Sequence, residues 1–360
     1  MNNLLGKKKI KIKKEVIYIA IAVVLVGILV GFFLLTNSKK DQSENTNTPN
    51  NTNSNKIQIV NVDSTSRPFA IMINNHPAAR PYHSGLQDAY ITYELVVEGG
   101  YTRYMSLFKD QSTQRIGSVR SARHDFLDYA LEHDAYYVHW GWSPQAKNDI
   151  QKGISGTKIN NINGLSDNAF YRDNNLKIAL EHRGITDMAK LNKSVANLKY
   201  RTETNRDLLF TYSFDSVDLS KVENNKNANK VAIKYSGSVT SSYIYDEVSK
   251  TYKRYVNDKE HIDYVTKNQY TVKNIITYQV KNSSLDSAGR QDIDTVGSGK
   301  GYYITNGVAV PITWEKNSRT AQTIYKYESG EEIILNDGNT FIQIQPVNQS
   351  LVIEWNIFLK

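Results

Sequence analysis

Two stretches of the chain place carboxylates, guanidinium groups and imidazoles at spacings that could do chemistry. The first is YELVVEGGYTRY, residues 93–104, with Glu94 and Glu98 four apart. On an extended strand that spacing brings both to one face. Arg103 follows a Gly-Gly turn and can fold back toward the same face. Two carboxylates beside a cation are what cleavage of a glycosidic bond requires, with Glu98 as general acid and Glu94 as the second carboxylate. Such an acid must hold its proton near neutral pH, which takes burial. An ordinary salt bridge across paired strands uses the same residues.

The second stretch is IGSVRSARHDFLDYA, residues 116–130. A helix beginning near Ser118 or Ser121 would place Arg120, Arg123 and His124 on its first turns. Cations there oppose the helix dipole, and they are better tolerated where they meet an anion that also uses the free N–H groups. Arg103, Arg120 and Arg123 are therefore candidates to grip acidic groups of a sugar, although a pair with Asp125 or Asp128 would serve equally well. His139 and Trp142, in the segment HWGW, add aromatic surface of the kind on which a sugar stacks, and tryptophans also fill cores. Ser155–Lys158 and Ser166–Asn168 match two penicillin-binding signatures, but they lie about ten residues apart and no K-T-G follows. Gly297–Gly301 lacks the spacing of a phosphate loop. No metal or cofactor motif is present, and the absence of cysteine removes thiolate chemistry altogether.

The elements that must position these residues read as follows. Pro68–Asn75 is a buried strand leading into a Pro/His loop. Tyr90–Val97 and Thr102–Phe108 flank Glu98-Gly99-Gly100 as a hairpin. Ser121–His133 has helical spacing, with Phe126, Leu127, Ala130 and Leu131 on one side. Ala135–His139 is strand-like, and Ser143-Pro144 supplies a cap and first-turn proline for a further helix. Thr186 caps a last helix running to about Lys199. After residue 222, strand patterns follow one another, joined by Gly, Asn and Asp.

The chain has 360 residues and a net charge of +8. Residues 1–36 hold six lysines against one glutamate, which leaves only +3 on the remainder. That removes the case for nucleic-acid binding. Val16–Leu35 carries no charge over 20 residues, the length needed to cross a bilayer. The preceding lysines predict a cytoplasmic N-terminus, with the folded part outside. Ten of the thirteen arginines and six of the seven histidines fall within residues 57–215, which places any chemistry in the first half. The expected fold is α+β. A cytoplasmic stub (1–15), a transmembrane signal-anchor (16–36) and a flexible tether (37–56) precede a mixed α/β domain (57–221) and a mostly antiparallel β domain (222–360).

RPFAIMINN, ARPYHSGLQDAYITYELVVEGGYTRY, IGSVRSARHDFLDYA and YVHWGWSPQA, in this order, resemble the N-terminal domain of the YerB-like family. Residues 327–346, YESGEEIILNDGNTFIQIQP, are similar to its C-terminal domain. The resemblance implies a two-domain, membrane-anchored envelope protein of a Gram-positive cell, in a group of unknown function. Two departures stand out: members are often lipoproteins, whereas this chain has no cysteine, and Glu181-His182-Arg183 stands where Pro-His-Asn is expected. The combined expectation is a cell-membrane protein whose folded part lies outside and binds or cleaves cell-wall glycan. The alternative is a non-catalytic scaffold for envelope proteins.

Overall fold

The computed structural model of the chain describes residues 58–354. The run PFAIMIN forms β1 (Phe69–Asn74), buried throughout. Its side chains alternate between two apolar clusters: Ala70 and Met72 enter one, and Phe69, Ile71 and Ile73 the other. A strand covered on both faces reads as a continuous apolar run, which is why β1 shows no polar alternation.

β1 pairs antiparallel with β3 (Thr102–Phe108), and β3 pairs with β2 (Ile91–Val96). The β2–β3 connection requires two consecutive left-handed residues, Gly99 and Gly100, a conformation that glycine adopts without strain. After β3 the chain returns beside β1 and enters α1 (His124–Glu132). It then forms β4 (Tyr136–His139), α2 (Pro144–Lys152), the edge strand β5 (Asn161–Asn163) and α3 (Met188–Asn197). β4 and β5 extend the sheet in parallel from β1.

The second half is joined to this sheet. Strand Thr340–Pro346 runs parallel to β2 and also to Asn274–Val280. One eleven-stranded sheet thus runs from Lys226–Asn227 at one edge to β5 at the other. A six-stranded sheet, built on Lys230–Lys234, Thr240–Asp246 and Thr251–Val256, packs beside it. The larger apolar cluster takes Met72 and Tyr93 from the first half and Ile275, Tyr303 and Ile344 from the second. The two sequence halves share a core.

The expected α+β class with one membrane-spanning helix is corrected. Among the described residues strands dominate, with three α-helices, and no helix is long and apolar enough to cross a membrane. The segment 16–36, on which that expectation falls, lies outside the described residues, as do the stub and the tether. Two helix starts also differ. α1 begins at His124, because residues 118–122 are drawn into extended pairing. Asp187, rather than Thr186, caps α3 by accepting from the Lys190 N–H at 2.8 Å.

Candidate functional site

The segment 118–122 is held open by neighbours on both sides. Arg120 N–H donates to Met72 O (2.9 Å), and Trp140 N–H donates to Arg120 O (3.0 Å). Ala122 N–H donates to Gly141 O, and Ser143 N–H to Ala122 O. This clamp brings Arg120 and Arg123 to the mouth of the β2–β3 hairpin. Loop residues His76 and His182 close the other side. The result is a cavity of about 240 Å³ lined by Asn74, His76, Glu98, Arg103, Arg120, Arg123 and His182 among others.

Charge inside this cavity is unbalanced. Glu98 accepts two hydrogen bonds from Arg123, Nε at 2.6 Å and Nη2 at 2.9 Å, and Arg103 stands 3.9 Å away. Burial alone would raise the Glu98 pKa, but the Arg123 hydrogen bonds and charge, with Arg103, hold it below the ordinary carboxylate range. Arg103 is deeply buried and donates to Ser121 O at 2.5 Å. Burial, then Arg123, pushes its own pKa down. Arg120 forms no ion pair or side-chain hydrogen bond among the described residues, and burial depresses its pKa too. Among the lining residues one carboxylate therefore faces three guanidinium groups, while the exposed Glu181 acts on Arg120 from outside the lining.

The imidazoles add further donors. His76 and His182 stack at 4.7 Å, with their planes 11° apart. Burial comes first, and neighbouring cations or imidazole second, in holding both below the usual pKa and so neutral near pH 7. His76 Nδ1 accepts from Ala78 N–H (3.2 Å), and His182 Nδ1 accepts from Asn74 Nδ2 (2.8 Å). A neutral ring that accepts at Nδ1 carries its proton on Nε2. Each ring therefore has an N–H to offer.

Other expected site residues lie elsewhere. Glu94 does not line this cavity. The strand ends at Val96 and a tight turn begins at Glu98, so the four-residue spacing does not bring the two carboxylates to one face. Glu94 is fully buried, accepting from Thr102 Oγ1 (2.7 Å), Ser241 Oγ (2.9 Å) and Arg254 Nη2 (2.8 Å). Arg254 continues to His261 Nδ1 (2.7 Å), and His261 meets His83 at 2.8 Å, so this network ties the two sheets together. His139 is buried behind Trp142, with Nδ1 donating to Gly141 O at 2.8 Å. Burial pushes its pKa down to about 4. His124 meets Asp125 (3.2 Å) and Asp292 (3.5 Å) instead of the cavity. Among the described residues, these three are the group spaced closely enough to share a metal ion. A larger concavity, beside Asp134 and residues 200–206, is open to solvent, and its Asp134 is already paired with Arg67 and Arg201.

Sequence reasoning passed over Asn74, His76 and His182. The Pro/His loop and the concentration of histidines in the first half were the signals available. What local spacing could not supply was that residues more than 100 positions apart meet at one cavity.

This fold and site define a family of uncharacterised activity. The chain belongs to the family described as a protein of unknown function (DUF3048), its N-terminal domain matching residues 56–201 and its C-terminal domain residues 231–342. It is 30% identical over 286 residues to the "Putative lipoprotein YerB" of Bacillus subtilis (strain 168), covering 78% of this chain and 81% of that relative. It is also similar to the crystal structure of the YerB protein from Bacillus subtilis, with TM-score 0.67 and 27% identity over 80% of this chain and 94% of that one.

Proposed function

We propose that this is an extracytoplasmic envelope protein that binds anionic groups of the cell-wall glycan in the Arg103–Arg120–Arg123 cavity, without cutting the strand. The observation that carries the reading is the excess of three guanidinium groups over one carboxylate, with Arg120 unengaged. An oxyanion entering there would pair with Arg120, accept from the two imidazole N–H groups, and relieve the repulsion among the arginines. Glu98 holds the Arg123 fork in place before the ligand arrives, which lowers the ordering cost of binding. Membrane association at the outer face is the expectation that a lipoprotein relative supports.

Strand cleavage by Glu98 and Glu94 is disfavoured on proton inventory. It needs one carboxyl that keeps its proton near neutral pH. Glu98 is held ionised by Arg123, and Glu94 is buried against Arg254. The test uses the full-length chain with purified sacculi, before and after removal of phosphodiester polymers. Sedimentation with sacculi and no release of soluble fragments supports the reading. Loss of sedimentation after stripping assigns the anion to phosphodiesters, and retention assigns it to glycan or peptide carboxylates. Fragment release that disappears in Glu98→Gln would establish the cleaving alternative instead.

A further inference from the structure

At the free edge of β5 the chain forms a second cavity, of about 390 Å³, between α2 and the segment that follows α3. Its lining includes Trp142, Tyr200, Asn161, Asn163, Gln151 and Lys158. Trp142 and Tyr200 are half-buried; Trp142 packs on His139 with Lys147 Nζ 5.8 Å from its ring, and Tyr200 stacks on Tyr136. The Asn163 carbonyl accepts from Gly141 N–H and Leu165 N–H, both at 3.1 Å, which fixes the side chain. Its Nδ2 group has no hydrogen-bond partner among the described residues, and Asn163 lines the cavity. The Asn161 amide meets His139 Nε2 at 3.1 Å with one end, leaving the other for a ligand. Ile150 and Ile159 supply apolar wall.

We propose that this cavity binds an uncharged N-acetylated amino sugar. The components match the ligand group by group. An indole or phenol ring packs against the C–H face of a pyranose. Fixed amides exchange hydrogen bonds with an acetamido group or hydroxyls, and the isoleucines receive the acetyl methyl. The lining charges, Lys158 and Asp167, are one of each sign, and Asp167 is engaged by Ala169 N–H (2.8 Å) and Ser194 Oγ (2.6 Å). This separates the cavity from the cationic one. A peptide added along the β5 edge is less suited, because β5 is three residues long and Tyr200 Oη already donates to Asn161 O at 3.0 Å.

The inference deepens the glycan reading by naming the neutral unit. Trp142 is bridged to Ala122, the residue before Arg123, so one short segment serves both cavities. The probe is a soluble, uncharged N-acetylglucosamine oligomer titrated into the full-length chain. Saturable binding is expected, insensitive to added salt because no charge is involved. Trp142→Ala should weaken it about tenfold or more, the loss of one aromatic platform and its buried area. Because Trp142 also packs on the core, Gln151→Arg at an exposed position of α2 provides a second variant that places a long side chain across the cavity. It should weaken binding while leaving the thermal midpoint unchanged. No binding by the wild-type chain, or binding that neither variant weakens, overturns the inference. Either result leaves the cationic cavity standing, since arginine-dependent sedimentation with sacculi is measured separately.

Discussion

Glu94 and Glu98 have the same chemistry and opposite surroundings. Glu94 forms a fully buried pair with Arg254. Removing one partner of such a pair leaves an uncompensated buried charge, and Glu94→Gln is expected to destabilise by about 3–5 kcal/mol. Denaturant unfolding checks this; a loss below about 1 kcal/mol would mean that the network is not holding the sheets. Glu98 is partly exposed and ionised, so Glu98→Gln should keep binding to sacculi and increase its salt sensitivity, as the cavity gains net positive charge. The stability that Glu98 contributes is present above the unfolded carboxylate pKa and is lost as pH falls through its depressed value. The residue types at this site were legible in the sequence. Which carboxylate faces solvent was not, because it depends on where β2 ends and on Arg254, which lies 160 positions away.

At the scale of elements, the β2–β3 hairpin and the capped α2 were readable because their signals are local. Glu-Gly-Gly marks a turn, and Ser143 Oγ accepts from Ala146 N–H at 3.1 Å as an N-cap should. Ser143→Ala should cost about 1 kcal/mol in unfolding experiments. Gly100→Ala tests the turn: a Cβ there meets Ser236 Oγ at 3.0 Å in a left-handed conformation. A destabilisation of about 1–2 kcal/mol is expected, together with weaker sacculus binding because Glu98 and Arg123 shift. Unchanged binding would show that the turn does not set the cavity. The start of α1 was misread for a non-local reason. Residues 118–122 have nothing against helix in their own sequence, and it is β1 on one side and residues 140–143 on the other that hold them extended.

At the scale of the molecule, the sequence halves are two family domains, yet β2 sits between β3 and Thr340–Pro346. That pairing spans roughly 250 residues of chain and leaves no local signature, which is why the shared core was not foreseen. All seven histidines lie below the ordinary imidazole range, with burial as the first cause in each. His83, His133, His139 and His261 are buried and neutral. Their stabilisation is present above the unfolded pKa of about 6.5 and is lost as pH falls. Burial pushes Asp125 up to about 8 and Asp128 up to about 6, which acts in the opposite sense. The lowered imidazoles outnumber the two raised carboxyls, so unfolding takes up protons on balance as pH falls below the unfolded imidazole value. The denaturation midpoint should therefore fall from pH 7 to pH 5; an equal or higher midpoint would contradict this balance. The most direct test of the central claim is the affinity of the wild-type chain and of Arg120→Ala for purified sacculi under identical salt. Loss of one charge-assisted contact predicts affinity about tenfold weaker or more for Arg120→Ala at an unchanged thermal midpoint, and equal affinities would contradict the account.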